Sequence, residues 1–375
     1  MLENSFKFQL INYWRVIDKK ILVSFLILFS LGLFFSFSST SSLAGERLNK
    51  NFYFFFSKHL FFTFLALGIM IIISAVKTEM LMKIVTPLFI ASFILLALVP
   101  IIGLEVKGAK RWLDFYFFRL QPVEILKPFF ILMTVKILTL KKFQHSQLKY
   151  FLSFSLLSSV IILLIDQPDL GQSILLIGSW IATVFISGVS LVFILIFFSI
   201  FIMFVGSLLF FLPEKFGYII NRLVTFFDPN QGDRFQSSSA LDAIKLGGFT
   251  GQGMGEGILK ESVPEAHTDY VIAVISEEFG SLVSIIILII FLYISFRIIK
   301  NCFNQENQFL KISLSGLASL MIFQTFIHAG VNTNLLPTTG MTLPFLSYGG
   351  SSLIGSAIIA GLILNYTKNK SYLYD

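Results

Sequence analysis

The stretch ISLSGLASLMIFQTFIHAGVNTNLLPTTGMTLPFLSYGGSSLIGSAIIAGLILNYT, residues 312–367, carries no charged side chain over 56 residues. A membrane-spanning helix needs about 20 consecutive, mainly apolar residues, so this stretch is too long for a single crossing. Pro337, Gly340 and Pro344 lie near its middle, and proline and glycine interrupt helices. The stretch therefore predicts two spanning helices, separated by a break at residues 334–345.

Charge-free runs of similar character fill most of the remaining chain. Residues 170–213 form a run of 44, which predicts two helices with a turn near Ser187 and Gly188. A less obvious span at residues 122–140 carries Glu124, Lys127 and Lys136, and ionisable residues inside a span are costly and often functional. The other runs, of 16–21 residues each, lie at 21–39, 59–76, 84–104, 150–165 and 279–296.

These runs together predict an all-α polytopic membrane protein with about ten transmembrane helices. A long extracytoplasmic loop, residues 214–270, is expected between helices 7 and 8. Hydrophobic residues make up 55% of the chain and charged residues 13%, against about 25% charged in soluble domains. This composition excludes a soluble enzyme, a disordered protein and a fibrous one. We expect one integral membrane domain, residues 1–375.

The charge and the single cysteine limit the function further. The net charge is +7, but most of the cations are expected to flank the spans, so we predict no nucleic-acid partner. Cys302 is the only cysteine, which excludes an internal disulfide and a zinc site built from cysteines.

An even number of spans places both ends of the chain on one side of the membrane. With a cytoplasmic N-terminus, 15 lysines and arginines fall inside and 13 outside. Short flanks count most in the positive-inside rule, and the N-terminal patch usually dominates. We therefore predict that the tails, residues 1–20 and 367–375, are cytoplasmic.

Ten of the outer cations are concentrated on two segments, residues 105–127 and 214–270. Long loops escape the positive-inside rule, which could explain the second segment. The first is short, and Lys107, Lys110 and Arg111 are close together in it. An anionic ligand at the outer face would explain this cluster.

Two carboxylates near predicted spans have structural as well as functional interpretations. Glu124 and Lys127 are three residues apart and share a helix face. They could neutralise each other inside the membrane, or line a hydrated cavity on a substrate path. Asp169, in the tight connection DQPDLG, is well placed to cap the helix that follows.

The outer loop ends in PEAHTDY, residues 264–270, directly before an apolar helix. Thr268 or Asp269 could cap this helix. Asp269 could instead serve as a general base if its surroundings raise its pKa towards the working pH. Glu277 and Glu278 lie two turns deeper in the same predicted helix, where at least one must face protein or water.

Two further features favour structural interpretations. The glycine-rich run 247–257 follows no strand and is not followed by Lys-Ser/Thr, so we interpret its glycines as allowing tight loop packing and not as a nucleotide loop. His328 could be the base for a serine nucleophile at Ser347 or Ser351, but nothing in the spacing brings them together. We interpret His328 as a hydrogen-bonded packing residue.

Five segments together resemble the SEDS family (shape, elongation, division and sporulation) of bacterial cell-wall polymerases. The last two are long and specific, and their sequences are more similar to the division branch than to the elongation branch. The segments are GAKRWL at 108–113, QPVEILK at 121–127, DQPDLGQS at 166–173, PEAHTDYVIAVISEEFG at 264–280 and LLPTTGMTLPFLSYGGSSL at 335–353.

The resemblance implies a ten-helix peptidoglycan glycosyltransferase with both ends in the cytoplasm. Such an enzyme polymerises lipid II at the outer face of the bacterial cytoplasmic membrane, here during synthesis of the division septum. Asp269 would be its general base. The pyrophosphate leaving group would attract basic side chains, with Arg111, Lys110, Arg234 and Lys245 as candidates.

Other expectations also depend on the resemblance. Glu124 and Lys127 would lie near a central cavity, and His267 and Thr268 would contact substrate beside Asp269. A divalent cation could assist at the pyrophosphate, although no ligand cluster in the sequence demands one. Expected partners are lipid II, a class B penicillin-binding protein acting as transpeptidase, other divisome membrane proteins and membrane lipids. A lipid II flippase or other transporter, a scaffold, and an elongation-type polymerase remain alternatives.

Overall fold

The computed structural model of the protein describes residues 13–40, 53–106, 108–116, 118–141, 147–211, 213–228 and 235–368. These residues include thirteen helices of nine residues or more. They are α1 (Lys19–Phe35), α2 (Phe54–Ala75), α3 (Thr78–Ile102), α4 (Pro122–Thr139), α5 (Leu148–Asp166), α6 (Leu170–Ile186), α7 (Leu191–Phe211), α8 (Pro213–Phe227), α9 (Phe235–Gly247), α10 (Val271–Phe279), α11 (Ser281–Phe303), α12 (Gln308–Asn332) and α13 (Gly350–Tyr366).

Ten of these helices, α1–α7 and α11–α13, coincide with the ten predicted spans. By length and composition, α1, α2, α3, α5, α7, α11 and α12 can cross a membrane. Helices α6 and α13 are apolar but have 17 residues each, and α4 carries three ionisable side chains. The predicted turn between α6 and α7 is confirmed, since α6 ends before Ser187 and Gly188 has a φ of 93°. The protein is therefore a polytopic, α-helical membrane protein.

Helices α4 and α13 form the centre of the bundle. Helix α13 packs against α2 and α4, and α4 also packs against α3, α6 and α12. From Ser351 to Tyr366, every residue of α13 except Ile354 is buried. A helix that is apolar all round belongs in a core. The ionisable residues of α4 lower its mean hydropathy. They are tolerated because this helix is largely buried among other helices.

The break between α12 and α13 is longer than predicted, running over residues 333–349, and it packs back into the bundle. Met341, Leu343, Phe345 and Leu346 are all at most 2% exposed. The Phe345 ring lies 5.0 Å from that of Phe29 on α1. Irregular backbone at membrane depth is tolerated only where protein or a wet cavity surrounds it, and this segment meets that condition.

A small antiparallel sheet follows α3 and is an addition to the predicted all-α fold. Its strands are β1 (Leu104–Val106), β2 (Ala109–Asp114) and β3 (Arg119–Leu120), in the order β1-β2-β3. Because consecutive spans alternate in direction, this sheet shares one end of the bundle with the α5–α6 connection, the segment from α8 to α10 and the α12–α13 break. We call this end the site end.

The helix that follows Asp269 is separate from the membrane span predicted at residues 279–296. A helix continuous through Glu277 and Glu278 into the membrane was expected, but α10 ends at Phe279 and α11 starts at Ser281. Gly280 between them has a φ of 87°, which an L-residue adopts only with strain. Helix α10 is thus a separate short helix at the site end.

The glycine-rich run packs tightly, as expected, but its neighbour is α10. The amides of Gln252 and Gly253 donate to the carbonyls of Glu277 (2.8 Å) and Glu278 (3.0 Å). A Cβ atom at Gly251 would lie 2.2 Å from the Glu278 carbonyl oxygen, so only glycine fits there. The Glu277 carboxylate accepts from the Lys260 amide at 2.7 Å, and the Glu278 carboxylate pairs with the Lys260 ammonium. Both glutamates therefore face protein, which confirms that prediction.

Candidate functional site

Asp269 lies in the turn before α10, half-buried at the site end. A Cβ atom at Gly340, in the α12–α13 break, would be 3.6 Å from Asp269 Oδ2 and 3.6 Å from Arg111 Nη1. The carboxylate and the guanidinium are therefore no further apart than twice that distance. Gly340 has a φ of 67° and no side chain, which leaves the space between the two groups open. The structure thus brings together the predicted base and the first of the predicted cations.

Arg111 reaches this position from β2 by bonding to the α5–α6 connection. Its Nε donates to the Gln167 carbonyl at 3.2 Å, and its Nη2 donates to the Pro168 carbonyl. Its Nε is also 4.0 Å from Asp169 Oδ2. The sheet that was absent from the predicted fold therefore carries Arg111, and the α5–α6 connection orients its guanidinium.

Asp169 caps α6, as predicted, and it also holds neighbouring polar groups. Its Oδ1 accepts from the Gln172 amide at 3.3 Å, and its Oδ2 accepts from Gln121 Nε2 at 3.3 Å. Burial raises the pKa of Asp169, and the positive charge of Arg111 opposes that rise.

Arg222 on α8 is a third charged member of the site, and sequence reasoning did not single it out. Its Nη1 donates to the Thr338 carbonyl in the α12–α13 break, at 3.2 Å. Burial lowers the pKa of Arg222 and so does the charge of Arg111, whereas Asp169 and Asp269 raise it. Thr338 is two residues before Gly340, so Arg222 binds the segment that lies against Asp269 and Arg111. In the sequence, Arg222 stands out only as the one charged residue from Phe216 to Phe227.

Glu124 and Lys127 form a buried ion pair on α4, below the site end. Glu124 Oε2 is 2.8 Å from Lys127 Nζ, and the two side chains are 3% and 1% exposed. Gln172 donates to Glu124 at 2.8 Å, and Lys127 donates to Gln324 at 3.1 Å. The backbone amide of Gln172 also donates to Asp169. Gln172 therefore connects the polar groups at the site end to the ion pair inside the bundle. The predicted pairing is confirmed.

His267 and Thr268 lie beside Asp269 and bind the α12–α13 break mainly through their backbone. The His267 carbonyl accepts from the Tyr348 amide at 2.9 Å, and the Thr268 carbonyl accepts from Ser347 Oγ at 2.6 Å. The His267 ring packs against those of Tyr348 and Phe55, at centroid distances of 5.7 and 5.3 Å. Their contact with substrate stays a prediction.

The helix-capping interpretation of Thr268 and Asp269 is wrong. The N-cap position of α10 is Tyr270, with no side-chain capping bond from it. Thr268 Oγ1 donates to Glu265. The Ala273 amide, in the first turn of α10, donates to Asn332 Oδ1 on α12 at 3.0 Å. A side-chain capping bond is therefore supplied by another helix.

The other predicted cations are not placed beside Asp269 by any described contact. Lys110 is exposed on β2, in register with Glu105 on β1. Lys245 is exposed on α9, and its Nζ is 3.5 Å from Asp242 Oδ1. Arg234 lies outside the described residues.

Among the described residues, no group of three or more His, Cys, Asp and Glu side chains could hold a metal ion. A divalent cation would need ligands from substrate oxygens and water with fewer side chains, as magnesium often has in phosphate sites. His328 is buried and its Nδ1 bonds with the Met341 carbonyl at 2.7 Å, which confirms its packing role.

Comparison with known proteins identifies the family. The model of the cell cycle protein family that groups FtsW, RodA and SpoVE, known as the SEDS family, matches residues 19–372. The chain belongs to the SEDS family.

Relatives of this SEDS chain include two named "Probable peptidoglycan glycosyltransferase FtsW". The protein from Caulobacter vibrioides is 30% identical, covering 96% of this chain and 92% of that protein. The protein from Pasteurella multocida is 34% identical, covering 92% and 89%. The predicted similarity to the division branch is confirmed.

Solved structures share the SEDS fold with this chain. One, described as "Structural coordination of polymerization and crosslinking by a peptidoglycan synthase complex", matches with a TM-score of 0.76 at 24% identity, covering 94% of this chain and 97% of that chain. The rod shape determining protein RodA of Thermus thermophilus matches with a TM-score of 0.66 at 24% identity, with the same coverage.

Chemically, this SEDS site combines the Asp269 carboxylate and the Arg111 guanidinium beside Gly340 with a second arginine, Arg222, bonded to the same α12–α13 break. A carboxylate can accept a proton from a hydroxyl group. Guanidinium groups bind phosphate oxygens with two parallel hydrogen bonds and remain charged. The site is therefore suited to a reaction in which a hydroxyl attacks and a phosphate-bearing group departs.

Proposed function

We propose that this chain is a peptidoglycan glycosyltransferase that polymerises lipid II at the outer face of the bacterial cytoplasmic membrane. The observation that carries the proposal is the approach of Asp269 and Arg111 at Gly340, with Arg222 bonded to the Thr338 carbonyl two residues before that glycine. Membership of the SEDS family and the names of its relatives support the same activity.

In the proposed mechanism, the 4-hydroxyl of one lipid-linked disaccharide attacks the anomeric carbon of the other sugar chain. Asp269 accepts the hydroxyl proton, and the bond from the anomeric carbon to the pyrophosphate oxygen breaks. Arg111 and Arg222 stabilise the charge that develops on the departing undecaprenyl pyrophosphate. The assignment of Arg222 replaces the expectation that Lys245 has this role.

The proposal extends to partners and location. We infer that the enzyme works with a class B penicillin-binding protein and other divisome membrane proteins, at the septum, with both termini in the cytoplasm. The relatives named FtsW support a division role over an elongation role.

The decisive experiment is polymerisation of purified lipid II by the full chain with its penicillin-binding protein. Wild type is expected to form glycan polymer and Asp269→Asn is not, with folding and partner binding checked for both. Equal polymer from both would remove Asp269 as the base. If neither forms polymer while a control polymerase does in the same conditions, a flippase or scaffold function takes its place, and a lipid II translocation assay separates those two.

Orientation has its own test because the chain contains one cysteine. Cys302 is buried. In a Cys302→Ser background, Lys245→Cys on α9 is expected to react with a membrane-impermeant maleimide added to intact spheroplasts. Lys77→Cys, between α2 and α3 at the opposite end, should react only after the membrane is opened. The reverse pattern would overturn the proposed orientation.

A further inference from the structure

Asn332, the last residue of α12, binds the backbone on both sides of the start of α10. Its side chain is 0% exposed. Its Nδ2 donates to the Asp269 carbonyl at 3.0 Å and to the His328 carbonyl at 2.8 Å. Its Oδ1 accepts from the Ala273 amide at 3.0 Å. One buried amide thus connects α12 to the backbone of the proposed base.

The contact with Ala273 replaces a helix cap. The first-turn amides of a helix have no partner within the helix, and a side-chain oxygen normally accepts from the N2 or N3 amide. In α10 the N-cap residue, Tyr270, makes no such bond, and Ala273 occupies the N3 position. Asn332 therefore accepts, from a different span, the hydrogen bond that an N-cap side chain would accept.

The two residues before Asp269 are held by the same part of the chain. Ser347 Oγ donates to the Thr268 carbonyl, and the Tyr348 amide donates to the His267 carbonyl. Three consecutive carbonyls therefore accept hydrogen bonds from α12 and the α12–α13 break. The same break provides Gly340, beside the Asp269 carboxylate, and the Thr338 carbonyl, which binds Arg222.

We propose that Asn332 is a positioning residue that fixes the backbone of Asp269, and thereby sets the position of its carboxylate. The inference rests on the proposed function of Asp269 as general base. An aspartate side chain has only two rotatable bonds, so its carboxylate follows its Cα closely. A base must lie within hydrogen-bond reach of its proton, and a misplacement of about 1 Å can lower the rate about a hundredfold.

Asn365 provides a matched control. It is also a buried asparagine, 1% exposed, and it also binds backbone carbonyls at a helix end. Its Nδ2 donates to the carbonyls of Ser74 (3.1 Å) and Val76 (2.6 Å), at the end of the bundle opposite Asp269. Replacement by alanine removes a comparable buried amide there without touching the site.

The test measures kcat and KM for lipid II polymerisation by the full chain with its penicillin-binding protein, per folded molecule. Asn332→Ala is expected to lower kcat about 10- to 100-fold with KM within about threefold. Asn365→Ala should keep both values within about twofold. Wild-type kcat in Asn332→Ala, in an assay where Asp269→Asn is inactive, would overturn the positioning role and leave the proposed function standing.

Hydrogen exchange gives a readout that does not depend on activity. In Asn332→Ala, the Ala273 amide loses the Asn332 acceptor and keeps only the Tyr270 carbonyl at 3.0 Å, so it should exchange faster than in wild type, whereas in Asn365→Ala it should not. Unchanged exchange at Ala273 would overturn the anchor itself. If polymer forms equally with Asp269→Asn, the failure lies in the proposed base and not in this anchor.

A second variant covers the case in which Asn332→Ala does not fold. Ser347→Ala removes the donor to the Thr268 carbonyl, one residue before Asp269, and is expected to lower kcat about three- to tenfold with little change in KM. If Ser347→Ala has wild-type kcat, the backbone anchoring of this turn does not control the reaction, and the proposal is rejected.

Discussion

Asp269 and Arg111 converge on one point, the position that a Cβ atom would occupy at Gly340, with 3.6 Å to an oxygen of the first and 3.6 Å to a nitrogen of the second. They come from parts of the chain more than 150 residues apart. The absence of a side chain at residue 340 is therefore a property of the site as well as of the turn.

Gly340→Ala is expected to lower kcat/KM about tenfold or more, because the methyl group occupies space between the acid and the cation. The left-handed backbone also costs an alanine about 1 kcal/mol. Gly255→Ala is the matched control, since Gly255 has a φ of 83° and no atom near its Cβ position. Lipid II polymerisation and thermal unfolding of both variants separate the two effects. Equal activity of the two variants would mean that the space above Gly340 is not used by substrate.

Arg222→Gln should reduce kcat/KM about 10- to 100-fold, through the loss of a charge that stabilises the departing pyrophosphate. Lys245→Gln, on the exposed face of α9, should stay within about twofold of wild type, because Lys245 pairs with Asp242. Steady-state polymerisation assays at matched ionic strength test both. A larger loss for Lys245→Gln than for Arg222→Gln would reverse the assignment.

Glu124→Gln is expected to destabilise the protein by about 3–5 kcal/mol, since it leaves the Lys127 ammonium buried without its counter-charge. The double variant Glu124→Gln/Lys127→Met should recover most of the lost thermal stability. Its polymerase activity then separates the two interpretations of the pair. Activity near wild type identifies a self-neutralising structural pair, whereas a stable but inactive double variant places the pair on the substrate path.

Asp169→Asn is expected to keep the cap on α6, because asparagine also caps helices well, but to lose the negative charge beside Arg111. Burial raises the pKa of Asp169 in the folded state. Its contribution to stability is therefore fully present below the unfolded-state pKa of about 3.9 and is lost as pH rises through the folded-state value.

Melting temperatures measured from pH 3.5 to 7 check this sign. The wild type should lose stability with rising pH relative to Asp169→Asn across the acidic part of the range. A wild type that gains stability relative to the variant over the same range would mean that the ion pair with Arg111 outweighs burial.

Most of the membrane bundle could be predicted from the sequence because long apolar runs have few alternatives to spanning helices. Even α4 could be predicted, since its length is that of a spanning helix although it carries three ionisable residues. The break at Gly280 was not predicted, because a single glycine does not by itself end a helix and the backbone angle is what reveals the break. The sheet at residues 104–120 was missed because its strands have two to six residues.

The site was predictable where a residue lies in a distinctive motif, as do Asp269 and Arg111. Arg222 is the one charged residue from Phe216 to Phe227, and its importance comes from its contact with the distant α12–α13 break. Lys245 carries the same charge in the same long segment, residues 214–270, but the structure pairs it with Asp242 on an exposed surface. The charges along the chain indicate which segment lies near the site. Only the tertiary contacts show which of its basic residues belong to the site.

The order of synthesis gives the ion pair of α4 a second consequence. The helices that cover α4 in the finished bundle, α12 and α13, are made last, more than 160 residues after α4 ends. At 5–20 residues per second, α4 waits on the order of ten seconds or more before its cover exists. Because Glu124 and Lys127 belong to the same helix, each charge already has its partner during that wait. The nascent chain can therefore enter the bilayer with two of the three ionisable residues of α4 already paired, before the rest of the protein has been translated.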